Sequence, residues 1–77
     1  MYWIDASSSV SSGNQKTFMA DTENDLNNLP TTTTEGAIQN GNNVINQKVE
    51  TGSKCLVVST GELYVLGSSN TWDKVGG

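Results

Sequence analysis

The segment GSKCLVVSTGELYVLGSSNTWDKV, running from Gly52 to Val75, constrains the fold more than any other part of the chain. Two short apolar runs flank Thr60-Gly61, and a third run carrying Trp72 follows the polar stretch Gly67-Ser68-Ser69-Asn70. Apolar runs separated by such turn signals predict a three-stranded antiparallel meander. With Thr60-Gly61 as a two-residue loop, Ser59 pairs with Glu62, Val58 with Leu63, Val57 with Tyr64, Leu56 with Val65 and Cys55 with Leu66. Both faces of this hairpin are then apolar. A chain of 77 residues covers one face readily. The second face has to be covered by a short helix, by the N-terminal half or by another subunit. The expected fold is therefore mainly β: a small antiparallel meander or sandwich with one short helix, and oligomeric.

Composition sharpens this expectation. The length allows one small domain, whose core rarely supplies more than about 3–5 kcal/mol without a staple. The single cysteine, Cys55, excludes an internal disulfide, and with no histidine a lone thiol makes no zinc site. Oligomerisation or docking on a larger partner remains. Apolar residues make up 34% of the chain, and about half of it is Ser, Thr, Asn, Gln and Gly. Charged residues are only 16%, fewer than disordered segments usually carry. Uncharged polar residues in this proportion read as a β-rich surface protein.

The formal net charge of −4, with four lysines and no arginine, argues against nucleic-acid binding, which draws its affinity from cations on phosphates. An anionic membrane surface is disfavoured for the same reason. No apolar run approaches the roughly 20 residues of a membrane-spanning helix, and the N-terminus lacks the basic and apolar regions of a signal peptide. Synthesis in the cytoplasm is the expectation, and a free cysteine is at ease there.

Along the chain, residues 1–15 read as an arm and 16–77 as the β-rich domain. Met1-Tyr2-Trp3-Ile4 is an apolar tip, and Ala6 to Gln15 is Ser-rich and flexible by composition. The tip reads either as a frayed terminus or locally packed edge strand, or as an arm that inserts Tyr2, Trp3 and Ile4 into a neighbouring subunit or partner. Lys16 to Ala20 predicts a short strand. Asp21 or Thr22 then caps a short helix over 22–28, with Asp25 closing a loose capping box, Leu26 and Leu29 facing the core, and Pro30 ending the segment. The acids Asp21, Glu23 and Asp25 lack the glycine and closing glutamate of a calcium loop. Residues 31–43, TTTTEGAIQNGNN, predict a polar loop with turn chemistry at Asn40-Gly41, functional or mobile by its length, unless the threonines form an extended edge. Val44 to Val49 predicts a strand, and residues 71–75 add Trp72 and Val75 to the apolar cluster of the meander.

The residues for catalysis are scarce. Without histidine or arginine, the commonest general base and the usual anion clamp are missing. Cys55 lies in an apolar run, where a free thiol behaves as a small hydrophobe. No P-loop pattern occurs. The expectation is a protein that is not an enzyme, with no cofactor and no metal. Trp72 and Tyr64 have two readings, as a sugar-stacking platform or as the large residues of a poor core.

The motif order is similar to that of small virion proteins encoded beside the major capsid gene in tailed phages and prophages. That group shows a strand, a D-T/S-E-x-D-L-x-N-L-P segment, a polar loop, a G-S-x-C/A-L-V-I strand, an x-x-Y-x-L strand and a closing N-x-x-W. Here the corresponding stretches are Asp21 to Pro30, Gly52 to Val58, Leu63 to Leu66, and Asn70-Thr71-Trp72. The resemblance covers roughly residues 16–75 and implies a structural role: decoration or cementing of the capsid exterior, or a head-fibre, tail or baseplate-fibre module that binds host glycans. It implies the major capsid protein as partner, a homo-oligomer (a trimer being the expected order), and the virion surface as location. The contact residues expected on this reading are Tyr2, Trp3, Ile4 and the hairpin near Tyr64, with Trp72 and Tyr64 as the glycan-stacking pair. A third reading is a cytoplasmic inhibitor that binds a basic host protein through its acidic surface.

Overall fold

The computed structural model describes residues 1–4, 15–40 and 43–76. Among these residues, seven strands and one short 3-10 helix follow in the order β1 (Tyr2–Ile4), β2 (Thr17–Ala20), helix (Glu23–Asn28), β3 (Gly36–Asn40), β4 (Asn43–Gln47), β5 (Lys54–Val57), β6 (Glu62–Leu66) and β7 (Trp72–Lys74). Five strands form one sheet in the order β1-β2-β5-β6-β7, and β3 with β4 forms a separate hairpin. The fold is mainly β, as the patterning predicts, and β5-β6-β7 is the expected meander. The main sheet is mixed, however. Strand β2 runs parallel to β5, pairing Thr17 with Lys54 and Ala20 with Val57. A parallel pair needs a long crossover, and the helix together with the β3–β4 hairpin provides it. Pairing between segments so far apart leaves no local signal in the sequence.

The β5–β6 hairpin differs from the expected register by two residues. Leu56 pairs with Leu63, Cys55 with Tyr64 and Val57 with Glu62. The turn therefore spans Val58 to Gly61, closed by Gly61 N–H donating to the Val57 carbonyl at 2.8 Å, with Gly61 at φ 71°. A shift of two residues preserves the side-chain alternation. Cys55, Val57, Tyr64 and Leu66 still share one face, and that face is buried.

The inner face of the sheet packs against the helix and the β3–β4 hairpin. Phe18, Ala20, Leu29, Ile38, Val49, Cys55 and Leu66 form the buried core, with Tyr2, Ile4, Leu26, Ile45 and Trp72 packed around it. Phe18 meets the Tyr2 and Trp72 rings edge-to-face, at centroid distances of 5.9 and 6.2 Å. Leu26 and Leu29 face the core together, as their spacing predicts. The helix is a 3-10 helix, and its cap is the expected one: the Asp25 carboxylate accepts from Thr22 N–H at 3.0 Å and from the Thr22 hydroxyl at 3.1 Å. Val75 does not join the cluster; it is 52% exposed on the outer face.

The tip Tyr2–Ile4 is an edge strand, antiparallel to β2. Most of the Ser-rich stretch, residues 5–14, lies outside the described residues. The polar 31–43 segment also differs from a plain loop. Its second half is strand β3, in which Ile38 is buried opposite Ile45. Asn40 pairs with Asn43, and the Gly41 of the predicted turn lies outside the described residues. Gly36 is required here, because a Cβ at this position would sit 2.7 Å from Pro30 Cδ.

The four threonines are held in place by hydrogen bonds. The Thr31 hydroxyl accepts from the Thr34 N–H at 3.0 Å. Asn70 Oδ1 accepts from the Thr32 N–H (2.8 Å) and hydroxyl (2.6 Å), while Asn70 Nδ2 donates to Thr33 Oγ1 (2.8 Å). Two residues on, Trp72 Nε1 donates to the Pro30 carbonyl at 3.1 Å. The Asn70-Thr71-Trp72 turn thus clamps the segment that follows the helix. Asn70 has φ 67°, a conformation that asparagine tolerates better than most residues. Asn70→Gly keeps the backbone and removes the clamp, with an expected loss of about 1–2 kcal/mol. Asn70→Ala adds the left-handed penalty and is expected to lose about 1 kcal/mol more. Urea unfolding of the two variants measures both terms.

Candidate functional site

The two faces of the sheet differ sharply. Side chains alternate across each strand, and the register places Trp3 beside Met19, Met19 beside Leu56, and Leu56 beside Leu63 on the outer face. Val75 continues this row, since its N–H donates to the Leu63 carbonyl at 2.8 Å. An unbroken apolar row therefore crosses β1, β2, β5 and β6 and ends on Val75, just past β7. Trp3 and Leu63 are each 36% exposed. The neighbouring row reads Thr17, Lys54, Val65 and Asp73. Lys54 and Asp73 are exposed, and the ion pairs among the described residues use neither of them. The helix and hairpin cover the opposite face.

A second apolar surface lies at the start of the chain. Met1, Tyr2, Trp3, Ala37 and Val44 line an open cleft of about 440 Å³ together with the polar Asp25 and Asn28. Met1 is 81% and Val44 61% exposed. Among the described residues, strand β1 forms one edge of the sheet. The Asp25 carboxylate also pairs with the Met1 amino group. That contact, followed by its bonds to Thr22, holds the Asp25 carboxyl below its usual range.

The residues expected to make interfaces separate into two groups. Tyr2 and Ile4 belong to the chain's own core: Tyr2 stacks edge-on against Phe18 and its hydroxyl donates to the Ala37 carbonyl at 2.7 Å. Trp3, on the opposite face of the same strand, is the tip residue that remains presented outward. Tyr64 lies on the inner face and is 8% exposed. It joins Trp72 in a shallow cleft of about 650 Å³ with Glu23, Asn24, Leu26, Asn27 and Thr71. The expected glycan-stacking pair is therefore brought together, but Tyr64 is too deeply buried to offer a ring face, and Trp72 is committed to Phe18 and Pro30. Burial and then the charges of Glu23 and Glu62 push the Tyr64 phenol up.

Sequence reasoning missed Val44, Met19 and the charged pair Lys54 and Asp73. The hairpin pattern already placed Leu56 and Leu63 on a common face. Extending that row to Met19 and Trp3 required knowledge of the parallel β2–β5 pairing.

Cys55 is fully buried. Burial, and secondarily the charge of Asp25, pushes its thiol up to about 11 from an ordinary value of 9.0. Among the described residues, no group of three or more His, Cys, Asp or Glu gathers to hold a metal. No helix among them is long and apolar enough to cross a membrane. No family model matches the chain, and no curated protein or solved structure matches it.

The raised thiol carries a pH signature. Between about 9 and about 11 the folded chain keeps a proton that the unfolded chain has lost, so stability falls as pH rises through this window and is independent of Cys55 below it. Urea midpoints measured against pH should decline more steeply in the parent protein than in Cys55→Ala. Alkylation of Cys55 at pH 8 should be slow until denaturant is added.

Proposed function

We propose that this chain is a non-catalytic structural protein of a tailed bacteriophage that decorates the exterior of the capsid and acts by burying apolar surface on the major capsid protein. The motifs of residues 16–75 support the reading by resemblance, and the geometry supports the mode of action. In a chain this polar, large apolar side chains at the surface need a partner. Met1, Trp3 and Val44 stand exposed around one cleft, beside an edge strand. That clustering is the observation that carries the proposal. An edge strand with an apolar cleft beside it accepts an extended segment by strand addition, with main-chain bonds for affinity and the cleft for selectivity. Many such weak contacts repeated over a shell sum through multivalency.

The location of Tyr2 and Ile4 in the core decides the design of the test. Removing the tip would strip two core residues along with Trp3, so a point variant is the cleaner probe. Trp3→Ser combined with Val44→Asp should fold like the parent by circular dichroism and thermal melting. Its copy number on purified particles, counted by mass spectrometry against the major capsid protein, should fall at least about tenfold, the loss expected for more than about 1.4 kcal/mol of contact energy. Unchanged occupancy would remove the cleft from the mechanism, and absence of the parent protein from particles would remove the proposal.

A second reading, a fibre module binding host glycans, rests on the cleft that joins Trp72 to the amides of Asn24 and Asn27. Glycan-array binding by the parent that is lost in Asn24→Ala with Asn27→Ala would favour it. A blank array would leave decoration alone.

A further inference from the structure

We propose that the outer face of the sheet over β5, β6 and β7 is a self-association surface, occupied by a second copy of this chain packed face to face about a two-fold axis along β6. The occupant is argued from charge. Lys54, Val65 and Asp73 lie side by side in one cross-strand row, with the cation and the anion on either side of the central strand. A two-fold axis running along β6 places β5 of one copy over β7 of the other. Lys54 then faces Asp73 of the second copy twice over, Val65 faces Val65, Leu63 faces Leu63, and Leu56 faces Val75. Each charge on this surface meets its opposite and each apolar side chain meets another. The surface is complementary to itself, as an isologous interface requires.

The two charges are suited to this use. Asp73 accepts from the Thr71 hydroxyl at 3.2 Å, and neither it nor Lys54 joins an ion pair among the described residues. By contrast, Lys74 on the inner face is held at 2.7 Å by Glu62. Leu63 and Val75, both well exposed, fall within the paired region, and stacked sheets pack about 10 Å apart with nearly aligned strands. The contact over three strands and their flanking turns is on the order of 1,000 Å² counted over both copies, near the lower limit for a specific interface. The dimer is therefore concentration-dependent in free solution and tightens where copies are held at neighbouring sites. A two-fold pair stands in place of the trimer that the sequence resemblance implies.

The surface is distinct from the N-terminal cleft assigned to the shell, so the two proposals fail separately. Sedimentation velocity of the full chain over a wide concentration range is the test, with Lys54→Asp, Asp73→Lys, their double variant and Leu63→Asp as variants. Circular dichroism establishes that each is folded. The parent should shift from monomer to dimer with concentration, and Leu63→Asp should remain monomeric. Each single charge reversal should weaken association about tenfold, and the double variant should return to within about threefold of the parent. A parent that is monomeric throughout, a trimer, a dimer indifferent to Leu63→Asp, or a double variant no better than the singles would each overturn the two-fold pairing.

Discussion

Phe18 is the residue on which the rest of the structure depends. It is fully buried on β2, next to the edge strand β1, yet its ring meets aromatic rings from both ends of the chain: Tyr2 of β1 and Trp72 of β7. Edge-to-face pairs at such distances add about 0.5–1.5 kcal/mol each beyond the area they bury. In a chain with few large apolar residues that is a substantial share of the available stabilisation. The same contact also joins the two outer strands of the sheet beneath its surface. The parallel β2–β5 pairing sets Phe18 beside Cys55, and Leu29, Ile38 and Val49 complete the core.

Polar groups hold what the small core cannot. The connection between β2 and β5 contains the helix, the threonines and a separate hairpin, and its ordering is entropically costly. Asn70 and Trp72 bond to Thr32, Thr33 and Pro30. Fully buried Ser53 accepts from Lys16 N–H at 3.1 Å and donates to the Glu50 carbonyl at 2.8 Å. Gly52, at φ 98°, makes the bend before β5, where a Cβ would strike the Gln15 side chain. The Asn-Thr-Trp and Leu-Pro motifs are thus two halves of one contact, which gives a physical reason for their joint occurrence in this sequence.

The asymmetry of the sheet links fold to function. One face receives the helix and hairpin, and the other keeps an apolar row beside Lys54 and Asp73, which join no ion pair among the described residues. The row meets the cleft at the start of the chain through Trp3, which lies in both. The buried Cys55 sits in the core cluster, where its thiol acts as core volume.

The β class, the meander, the capped helix and the sets of residues that share each face of β5 and β6 were legible in the sequence. Each rests on local signals: alternation, turn residues and capping spacing. The side-chain alternation is robust enough that a register error of two residues left the faces intact. Strand β3 was obscured because Gly36, Gln39 and Asn40 have weak strand preference, and Ile38 is its one large apolar residue. Tertiary structure alone decided the rest. The parallel β2–β5 pairing joins residues far apart in the chain, and only that pairing turns Trp3, Met19, Leu56, Leu63 and Val75 into one row. It also decided the fate of the apolar tip, sending Tyr2 and Ile4 inward and Trp3 outward. Periodicity along a strand states which residues share a face. Which face is covered depends on what the rest of the chain packs against, and no local pattern encodes that.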